Sequence, residues 1–452
     1  MAYIAGTKKM PNSQLKSFFI RTYGCQMNEL DTEIMVGQLR QKGLEPIDSE
    51  DKADLLIYNT CSIRDLAERK VMGKLGQLGR KKRRQIIGVT GCMAVAKKDA
   101  LFRKFPHLDF VLGTNNITDL SSAIDEVLYK KKPILKVDDR FEENLNYLDA
   151  ERTDKTKAHV SIIRGCDKFC TYCVVPYTRG QEVSRPPQSI VEEVQMLADK
   201  GYKEITLLGQ NVNSYGKDMP SWNTLFHDLL YQLDKIEGID RVRFMTSHPI
   251  DITVSLMQAI RDLRSLCEFV HFPVQAGSSR ILKKMHRIYT KEIYLEKVDL
   301  LRSIVPNVEL GTDIIVGFPT ETEEEFLETY EIMKQIRYSL AFLYTYSPRK
   351  GTPAMRWKDD ISDEVKADRL RRLTDLQDSI GQQQLQEAIG NSYEVLVERF
   401  NRDQKLSGRT RCFKKVIFEG DPSLVGTVQK AKIHGFSHQT LLGRMQEQLA
   451  TV

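Results

Sequence analysis

Residues 164–173 read Arg-Gly-Cys-Asp-Lys-Phe-Cys-Thr-Tyr-Cys, and the spacing of the three cysteines in this stretch is the most informative feature of the chain. Cys166, Cys170 and Cys173 lie within eight residues, so their thiolates can converge on one face of a metal centre. Three thiolates leave a four-iron cluster one ligand short, and an iron without a protein ligand is open to a small molecule. The stretch therefore predicts a cluster at which chemistry takes place.

Two alternative uses of these cysteines are a structural zinc site and a disulfide with a spare thiol. Structural zinc takes four Cys or His ligands, commonly in two short pairs, and no fourth cysteine lies near the run. We find no secretory signal at the start of the sequence and no stretch of about 18 apolar residues that would predict a membrane span. A chain with eight cysteines and no export signal is expected in a reducing cytoplasm, where disulfides do not persist. An iron–sulfur site is therefore favoured.

Three further cysteines share a repeated pattern of strand, cysteine and helix. Cys25, Cys61 and Cys92 each follow a predicted strand. The strands are predicted at 17–24, 53–59 and 86–91. Strand–helix alternation predicts a parallel, doubly wound sheet, whose loops at the carboxyl ends of the strands share one edge and bind ligands. The three thiols are thus expected to meet in a second metal centre, the alternative being that small apolar cysteines simply pack well at strand ends.

The middle of the chain predicts six further strand–helix units. Their strands are predicted at 158–164, 204–208, 241–246, 268–272, 309–316 and 340–346. Six consecutive units predict an incomplete βα barrel, with functional groups at the carboxyl ends of its strands. The cysteine run follows the first strand and so lies at that end. Other polar residues expected there are Gly209, Gln210, Ser247, Gln275 and Asp313.

The C-terminal region predicts a docking helix and a small basic barrel. An amphipathic helix is predicted at 362–389, and short strands follow at 392–400, 409–418, 427–435 and 440–445. Such strands predict a small antiparallel barrel of the size used by RNA-binding modules. Residues 391–445 hold ten Lys and Arg against five Asp and Glu, so most of the formal net charge of +6 lies here. This favours RNA as a partner, and the basic run 80–84 is a second candidate phosphate contact.

The chain resembles the radical S-adenosylmethionine (SAM) methylthiotransferases. The resemblance rests on the spacing of the cysteine run, on Tyr172 before its last cysteine, and on the stretches 22–28 (Thr-Tyr-Gly-Cys-Gln-Met-Asn), 59–64 (Asn-Thr-Cys-Ser-Ile-Arg) and 91–93 (Gly-Cys-Met). Four more stretches are similar to the MiaB-type tRNA methylthiotransferases: 173–180, 208–212, 246–249 and 346–349. Residues 392–446, with Gly-Arg-Thr at 408–410, resemble a TRAM domain. The resemblance covers roughly residues 17–446.

The resemblance implies three domains: an auxiliary-cluster domain at 17–133, a radical SAM core at 152–383 and a TRAM RNA-binding domain at 384–446. It implies that Cys166, Cys170 and Cys173 hold one 4Fe–4S cluster, whose open iron is chelated by SAM. It implies a second 4Fe–4S cluster, called the auxiliary cluster, on Cys25, Cys61 and Cys92. By their position in the predicted barrel, Gly209, Gln210, Ser247, Gln275 and Asp313 are candidates for lining the SAM site, with Tyr172 beside it.

The implied reaction places a methylthio group on C2 of N6-isopentenyladenosine beside the tRNA anticodon. One SAM gives the 5′-deoxyadenosyl radical that removes the C2 hydrogen, and a second SAM supplies the methyl group. The expected partners are the tRNA anticodon stem-loop carrying isopentenyladenosine and an electron donor such as flavodoxin or ferredoxin. No self-association motif is present, so a monomer is expected.

Two stretches depart from the family pattern, and three alternative functions stay open. Residues 286–290 read His-Arg-Ile-Tyr-Thr where Lys-Arg-Gly-His-Thr is usual, and 411–413 read Arg-Cys-Phe where acidic and Asn residues are usual. The alternatives are methylthiolation of threonylcarbamoyl-adenosine in tRNA, methylthiolation of a ribosomal-protein aspartate, and a non-catalytic, metal-stapled RNA-binding protein. The basic tail favours RNA, and Val-Val-Pro-Tyr-Thr-Arg-Gly at 174–180 favours the isopentenyl substrate.

Overall fold

The computed structural model describes residues 15–62, 65–80, 84–138 and 147–446. Along these ranges the chain forms an N-terminal parallel sheet, then the sheets of a central part, and then a closed C-terminal barrel. None of the helices in them combines the length with the apolar character that a membrane span requires. The centre of the basic run 80–84, residues 81–83, lies outside the described residues.

The N-terminal part is a six-stranded parallel sheet in the order β2-β1-β3-β4-β5-β6. Its strands are β1 (Ser17–Thr22), β2 (Glu45–Pro46), β3 (Leu55–Thr60), β4 (Ile86–Gly91), β5 (Phe110–Leu112) and β6 (Ile134–Lys136). Its helices are α1 (Gln26–Gln41), α2 (Asp65–Leu78), α3 (Cys92–Lys97), α4 (Ala100–Lys104) and α5 (Leu120–Lys130). Leu55 and Ile57 pack with α1 and α5, whereas Leu56 and Tyr58 pack with the helices of the other face. Helices therefore cover both faces, as the continuously buried sequence of β3 requires, and the predicted doubly wound sheet is confirmed.

The strand order of this sheet reverses next to β1. The chain adds β2 on one side of β1 and then returns to add β3 on the other side. Such a reversal opens a crevice at the carboxyl ends of the two strands, which is where doubly wound sheets bind ligands. Cys25 follows β1 and Cys61 follows β3, so these two cysteines flank the crevice, and Cys92 follows the neighbouring β4.

The central part is the predicted incomplete barrel. Its strands are β7 (Lys157–Ser161), β8 (Ile163–Arg164), β9 (Val183–Ser184), β10 (Glu204–Leu208), β11 (Arg241–Phe244), β12 (Phe269–His271), β13 (Glu309–Val316) and β14 (Leu340–Thr345). Its helices are α6 (Val175–Arg179), α7 (Pro187–Asp199), α8 (Phe226–Leu233), α9 (Val254–Asp262), α10 (Ser279–Lys284), α11 (Lys291–Ile304), α12 (Glu323–Ile336) and α13 (Asp363–Glu387). Strands β7, β10 and β11 form one parallel sheet and β12, β13 and β14 a second, joined by one parallel bridge between Val242 and Leu266. The short antiparallel pair β8–β9 closes the loop that carries the cysteine run.

The C-terminal part is a closed five-stranded barrel in the order β15-β16-β17-β19-β18. Its strands are β15 (Ser392–Phe400), β16 (Leu406–Thr410), β17 (Lys415–Phe418), β18 (Val428–Ser437) and β19 (Thr440–Met445). The small barrel is confirmed, with antiparallel pairs except for β17–β19, which is parallel. The prediction of one strand at 409–418 is wrong. A turn at 411–414 divides that segment in two, because Phe413 takes a left-handed conformation with φ of 72°.

This turn packs against the amino ends of the central barrel strands. Arg411 makes three hydrogen bonds to the carboxylate of Glu268, and the Phe413 ring stacks on Phe269 with ring centres 5.2 Å apart. Buried Arg243 donates to the backbone carbonyls of Thr410 and Arg411 at 2.7 and 2.5 Å. The unusual Arg-Cys-Phe sequence therefore serves domain docking, at the end of the barrel opposite to the cysteine run.

Candidate metal centres

Cys25, Cys61 and Cys92 lie at the carboxyl ends of three adjacent strands. Cys25 is the N-cap residue of α1, and Cys61 directly follows β3. Cys92 is the first residue of α3, so this cysteine begins a helix and does not lie in the expected loop after the strand. The strands β1, β3 and β4 are hydrogen-bonded neighbours, and the three cysteines therefore share one edge of the sheet.

Direct contacts connect the three cysteine-bearing segments. A Cβ atom placed on Gly24 would lie 2.9 Å from Cβ of Cys61, so the segment before Cys25 touches Cys61. Asn28 accepts a hydrogen bond from the Cys25 thiol at 3.4 Å and donates to the Thr60 carbonyl at 3.0 Å. Gly91, which has φ of 89°, passes so close to the same carbonyl that a Cβ there would be 2.4 Å away. The edge is thus one packed unit, and the predicted convergence of its thiols has a physical basis.

The radical loop, defined here as residues 165–182, carries the other three cysteines and closes on itself. The backbone N–H of Cys166 donates to the Gly180 carbonyl at 3.1 Å. Gly165 has φ of 80°, and a Cβ there would lie 1.8 Å from the Gln181 carbonyl, so only glycine fits. Burial raises the pKa of both Cys166 and Cys173 to about 12. Metal binding at this loop must therefore displace protons from these thiols.

A buried arginine that sequence reasoning missed touches the radical loop. Arg287 Nη1 donates to the Cys170 sulfur at 3.4 Å, and Arg287 Nε donates to the Tyr289 hydroxyl at 3.0 Å. Among the described residues this guanidinium has no carboxylate partner, and its acceptors include the Cys170 sulfur and the Pro273 carbonyl. Both residues belong to the stretch 286–290. Tyr289 stands where the family pattern has His, whereas Arg287 agrees with that pattern, so no departure in the sequence pointed to it.

Three of the residues predicted to line the SAM site lie around the radical loop. The Tyr172 ring packs edge-on against Phe318, with ring centres 6.4 Å apart. Gln210 supports the loop directly, because its Oε1 accepts a hydrogen bond from the Gly165 N–H at 2.6 Å. Gly209 lies so close to the β8 strand that a Cβ there would be 2.4 Å from the side chain of Ile163. These contacts explain the residue types at 209 and 210 without a ligand.

The other three predicted residues lie further around the barrel. Ser247 Oγ is buried and has no hydrogen-bond partner among the described residues, which leaves it available to a ligand. The Gln275 N–H donates to the Asp313 carbonyl at 2.9 Å, so these two residues are neighbours. Asp313 Oδ2 lies 3.5 Å from Nε2 of the buried His271. The role of all six residues in SAM binding stays a prediction.

The two histidines near this site differ in their surroundings. His248 is a structural residue, since its Nδ1 accepts a hydrogen bond from the Ile250 N–H at 3.3 Å. His271 differs, because both of its ring nitrogens are buried without a hydrogen-bond partner among the described residues. Burial lowers the pKa of His271 and keeps the ring neutral, although the nearby Asp313 opposes that shift.

The cysteine edge of the N-terminal sheet packs against the radical loop. Helix α3, which begins at Cys92, contacts α6, which follows Cys173. Thr114 Oγ1 donates to the Thr178 carbonyl at 2.7 Å across this interface. The two cysteine triplets therefore lie on facing elements of the molecule.

The thiolate donors of the two cysteine triplets are chemically suited to iron–sulfur clusters and, in the described part of the chain, are not arranged around single ions. Among the described residues, no three His, Cys, Asp or Glu side chains are gathered as ligands of one metal ion. In a 4Fe–4S cluster the thiolates bind different irons and need not meet at one point. The buried thiol of Cys92 lies beside Arg179, whose Nη1 is buried without a hydrogen-bond partner among the described residues. An anionic group at this edge would give the buried Nη1 of Arg179 a hydrogen-bond acceptor and would balance its charge.

Three family profiles match the chain. The profile described as an uncharacterized protein family, UPF0004, matches residues 17–113. The profile of the radical SAM superfamily matches residues 160–333, and that of the TRAM domain matches residues 386–445.

Curated relatives are similar to the chain over nearly its whole length. It is 69% identical over 435 residues to the tRNA-2-methylthio-N(6)-dimethylallyladenosine synthase of Protochlamydia amoebophila (strain UWE25), and the match covers 96% of this chain and 97% of that protein. It is 46% identical over 437 residues to the protein of the same description from Thermoanaerobacter pseudethanolicus (strain ATCC 33223 / 39E), with 95% and 93% covered.

Solved structures share the fold at low sequence identity. The radical S-adenosylmethionine methyltransferase TsrM from Kitasatospora setae, with cobalamin and a [4Fe-4S] cluster bound, matches with a TM-score of 0.55 and 13% identity over 76% of this chain and 77% of that one. The cobalamin-dependent S-adenosylmethionine radical enzyme OxsB, with aqua-cobalamin and S-adenosylmethionine bound, matches with a TM-score of 0.51 and 14% identity over 81% and 56%.

Proposed function

The chain belongs to the family of tRNA-2-methylthio-N(6)-dimethylallyladenosine synthases, and from that membership we propose how its own residues divide the reaction. The enzyme is a radical SAM methylthiotransferase that modifies C2 of N6-isopentenyladenosine in tRNA. Cys166, Cys170 and Cys173 would hold the cluster that binds SAM. The auxiliary cluster would be held by Cys25, Cys61 and Cys92. When bound, the first cluster with SAM supplies a 5′-deoxyadenosyl radical, and the auxiliary cluster supplies or presents the sulfur.

The observation that carries this division is the packing of two cysteine triplets on facing elements. One triplet lies on a loop closed by β8–β9, and the other lies at the crevice of the N-terminal sheet. Hydrogen removal and sulfur delivery must reach the same carbon, so two sites on facing elements suit the reaction. Gln210 fixes the radical loop through the hydrogen bond that it accepts from the Gly165 N–H.

Anaerobic reconstitution tests the proposed function. Iron-loaded protein is mixed with reductant, SAM and an anticodon stem-loop RNA that carries N6-isopentenyladenosine, and a matched RNA carries unmodified adenosine instead. We expect 5′-deoxyadenosine and the 2-methylthio nucleoside from the first RNA and no methylthio nucleoside from the second. Methylthiolation of threonylcarbamoyl-adenosine RNA alone would support the sister activity. RNA binding without SAM cleavage would support the metal-stapled binding protein.

The tRNA would be bound in part by the C-terminal barrel. Three of its basic side chains are already used internally, because Arg411 pairs with Glu268, Lys414 with Glu309 and Arg409 with Glu398. A basic stripe stays exposed on β18–β19 and comprises Lys430, Lys432, His434 and Arg444. Lys432 and Arg444 lie directly opposite each other in the ladder, and neither has an ion pair within the part of the chain described. Like charges so placed repel, and an RNA phosphate would relieve that repulsion.

Replacing Lys432 and Arg444 together with alanine is expected to weaken stem-loop binding about tenfold near 0.1 M salt. Each lost phosphate contact should reduce the slope of log K against log salt by about 0.7 to 0.9. Fluorescence anisotropy with labelled RNA at several salt concentrations measures both quantities. The control is Lys52→Ala, an exposed residue before β3, at the opposite edge of the N-terminal sheet from the cysteines. An unchanged salt slope in the double variant would exclude the stripe as an RNA contact.

The proposed function also requires a source of electrons. An external donor such as flavodoxin or ferredoxin would supply electrons to the clusters, and the enzyme would act as a monomer in the cytoplasm, where tRNA is modified.

A further inference from the structure

Two buried arginines share one carboxylate where the radical loop meets the N-terminal sheet. Arg164 Nη2 donates to Asp31 Oδ1 at 2.7 Å, and Arg179 Nη2 donates to Asp31 Oδ2 at 3.2 Å. The three side chains are 4%, 2% and 0% exposed in the order Arg164, Arg179, Asp31. Neither arginine has an ion pair with a second carboxylate among the described residues. Two positive charges thus meet one negative charge, and one positive charge stays uncompensated.

The uncompensated charge is concentrated on Arg179. Its Nη2 also donates to Asn28 Oδ1 at 3.1 Å, whereas its Nη1 is buried with no hydrogen-bond partner in the described part of the chain. The guanidinium lies beside the thiol of Cys92. Burial raises the pKa of that thiol, and Arg179 opposes the rise. Cys92 and Cys25 are also the two thiols that act on Arg179, together with Asp31.

A buried charge with a free N–H needs an anion nearby. Taking a guanidinium out of water is costly unless an opposite charge compensates it, and an unsatisfied buried donor adds to that cost. The free Nη1 therefore marks where negative charge is expected, at the edge that carries the auxiliary cysteines. Arg164 differs, since its remaining nitrogens donate to the Tyr147 hydroxyl and the Thr114 carbonyl.

We propose that Arg179 is the anion-binding residue of the auxiliary site and that its free Nη1 binds the negatively charged iron–sulfur cluster held by Cys25, Cys61 and Cys92. This rests on the proposed function, which assigns a cluster to those thiolates. Three thiolates make the site anionic, and one-electron reduction by an external reductant adds one more negative charge. Arg179 therefore stabilises the reduced cluster more than the oxidised one.

Arg179 also fixes the auxiliary site relative to the radical loop. It is the last residue of α6 and directly precedes Gly180, which closes the base of the loop. Arg164 directly precedes Gly165 on the other side of that base. The Asp31 carboxylate thus binds both ends of the radical loop while Arg179 faces the auxiliary thiols. Arg179 is a positioning residue, since it acts through the cluster and through Asp31.

The test measures the reduction potential of the auxiliary cluster alone. A full-length protein with Cys166, Cys170 and Cys173 all changed to alanine should retain only that cluster, and redox titration with EPR detection reports its potential. In this background Arg179→Met is expected to lower the potential by at least about 59 mV, a tenfold shift of a one-electron equilibrium. Arg179→Lys keeps the charge and should restore most of the shift. The control Arg40→Met removes an equal charge from the exposed end of α1 and should change nothing.

A second variant distinguishes an effect of charge from an effect of misfolding. Asp31→Asn removes a negative charge beside the same guanidinium and should raise the potential, a change of opposite sign that structural damage does not produce. Equal potentials in the Arg179→Met, Asp31→Asn and parent proteins would overturn the role of Arg179 and leave the proposed function intact. Absence of any cluster in the triple-alanine parent would instead contradict the proposed function itself.

Discussion

Replacing Cys170 with alanine will abolish both SAM cleavage and methylthiolation, down to the level of protein without iron. Cys170 is the middle thiol of the radical loop, is buried, and accepts a hydrogen bond from Arg287 at 3.4 Å. A three-thiolate site already lacks one ligand, so the loss of another leaves two irons without protein ligands. No other cysteine lies on the loop to substitute for it.

The measurement for Cys170→Ala is the yield of 5′-deoxyadenosine under reducing, anaerobic conditions. The matched control is Cys412→Ala, which removes a thiol from the turn of the C-terminal barrel, where its closest polar partner is Thr410 Oγ1 at 3.4 Å. That control should retain activity within about threefold, since substitutions away from the site change free energies by only a fraction of a kcal/mol. Formation of 5′-deoxyadenosine by the Cys170→Ala protein would refute the assignment of the radical loop.

Replacing Cys61 with alanine will separate the two halves of the reaction. Cys61 is buried at the end of β3, in contact with the segment that carries Cys25. Its loss should remove the auxiliary cluster and with it the methylthio product, because sulfur has no other source in the proposed division. The radical loop is a separate element closed by its own hydrogen bonds, so SAM cleavage should continue within about threefold of the parent.

The Cys61→Ala prediction is checked by measuring 5′-deoxyadenosine and the methylthio nucleoside in the same reaction. The expected result is the first product without the second. Formation of the methylthio nucleoside at the parent rate would mean that Cys61 is dispensable and that the crevice of the N-terminal sheet holds no working cluster.

The positions of the six cysteines in the fold could be predicted because their signals are local or follow from topology. The spacing of Cys166, Cys170 and Cys173 lies within one loop, and the strand–cysteine pattern needs only the rule that parallel strands end at one edge. The incomplete central barrel could likewise be predicted, from six consecutive strand–helix units. What sequence could not show was the reversal of strand order beside β1, which places Cys25 and Cys61 on the two sides of the crevice.

The arginines escaped prediction because their partners are distant in sequence. Arg179 and Asp31 are 148 positions apart, and no periodicity connects them. Arg287 reaches Cys170 across 117 positions. In the C-terminal barrel the segment 409–418 alternates well enough for one strand, and only its packing against Phe269 and Glu268 makes the turn at 411–414 favourable. In this segment the tertiary contacts outweighed the local strand pattern.

The central claim is that the chain holds two clusters, one on each cysteine triplet, and counting iron and sulfide tests it most directly. The parent protein, a Cys25/Cys61/Cys92 triple-alanine variant and a Cys166/Cys170/Cys173 triple-alanine variant are reconstituted side by side. We predict about eight irons in the parent and about four in each variant, from two four-iron sites. A parent with about four irons, or a variant that loses none, would contradict the account.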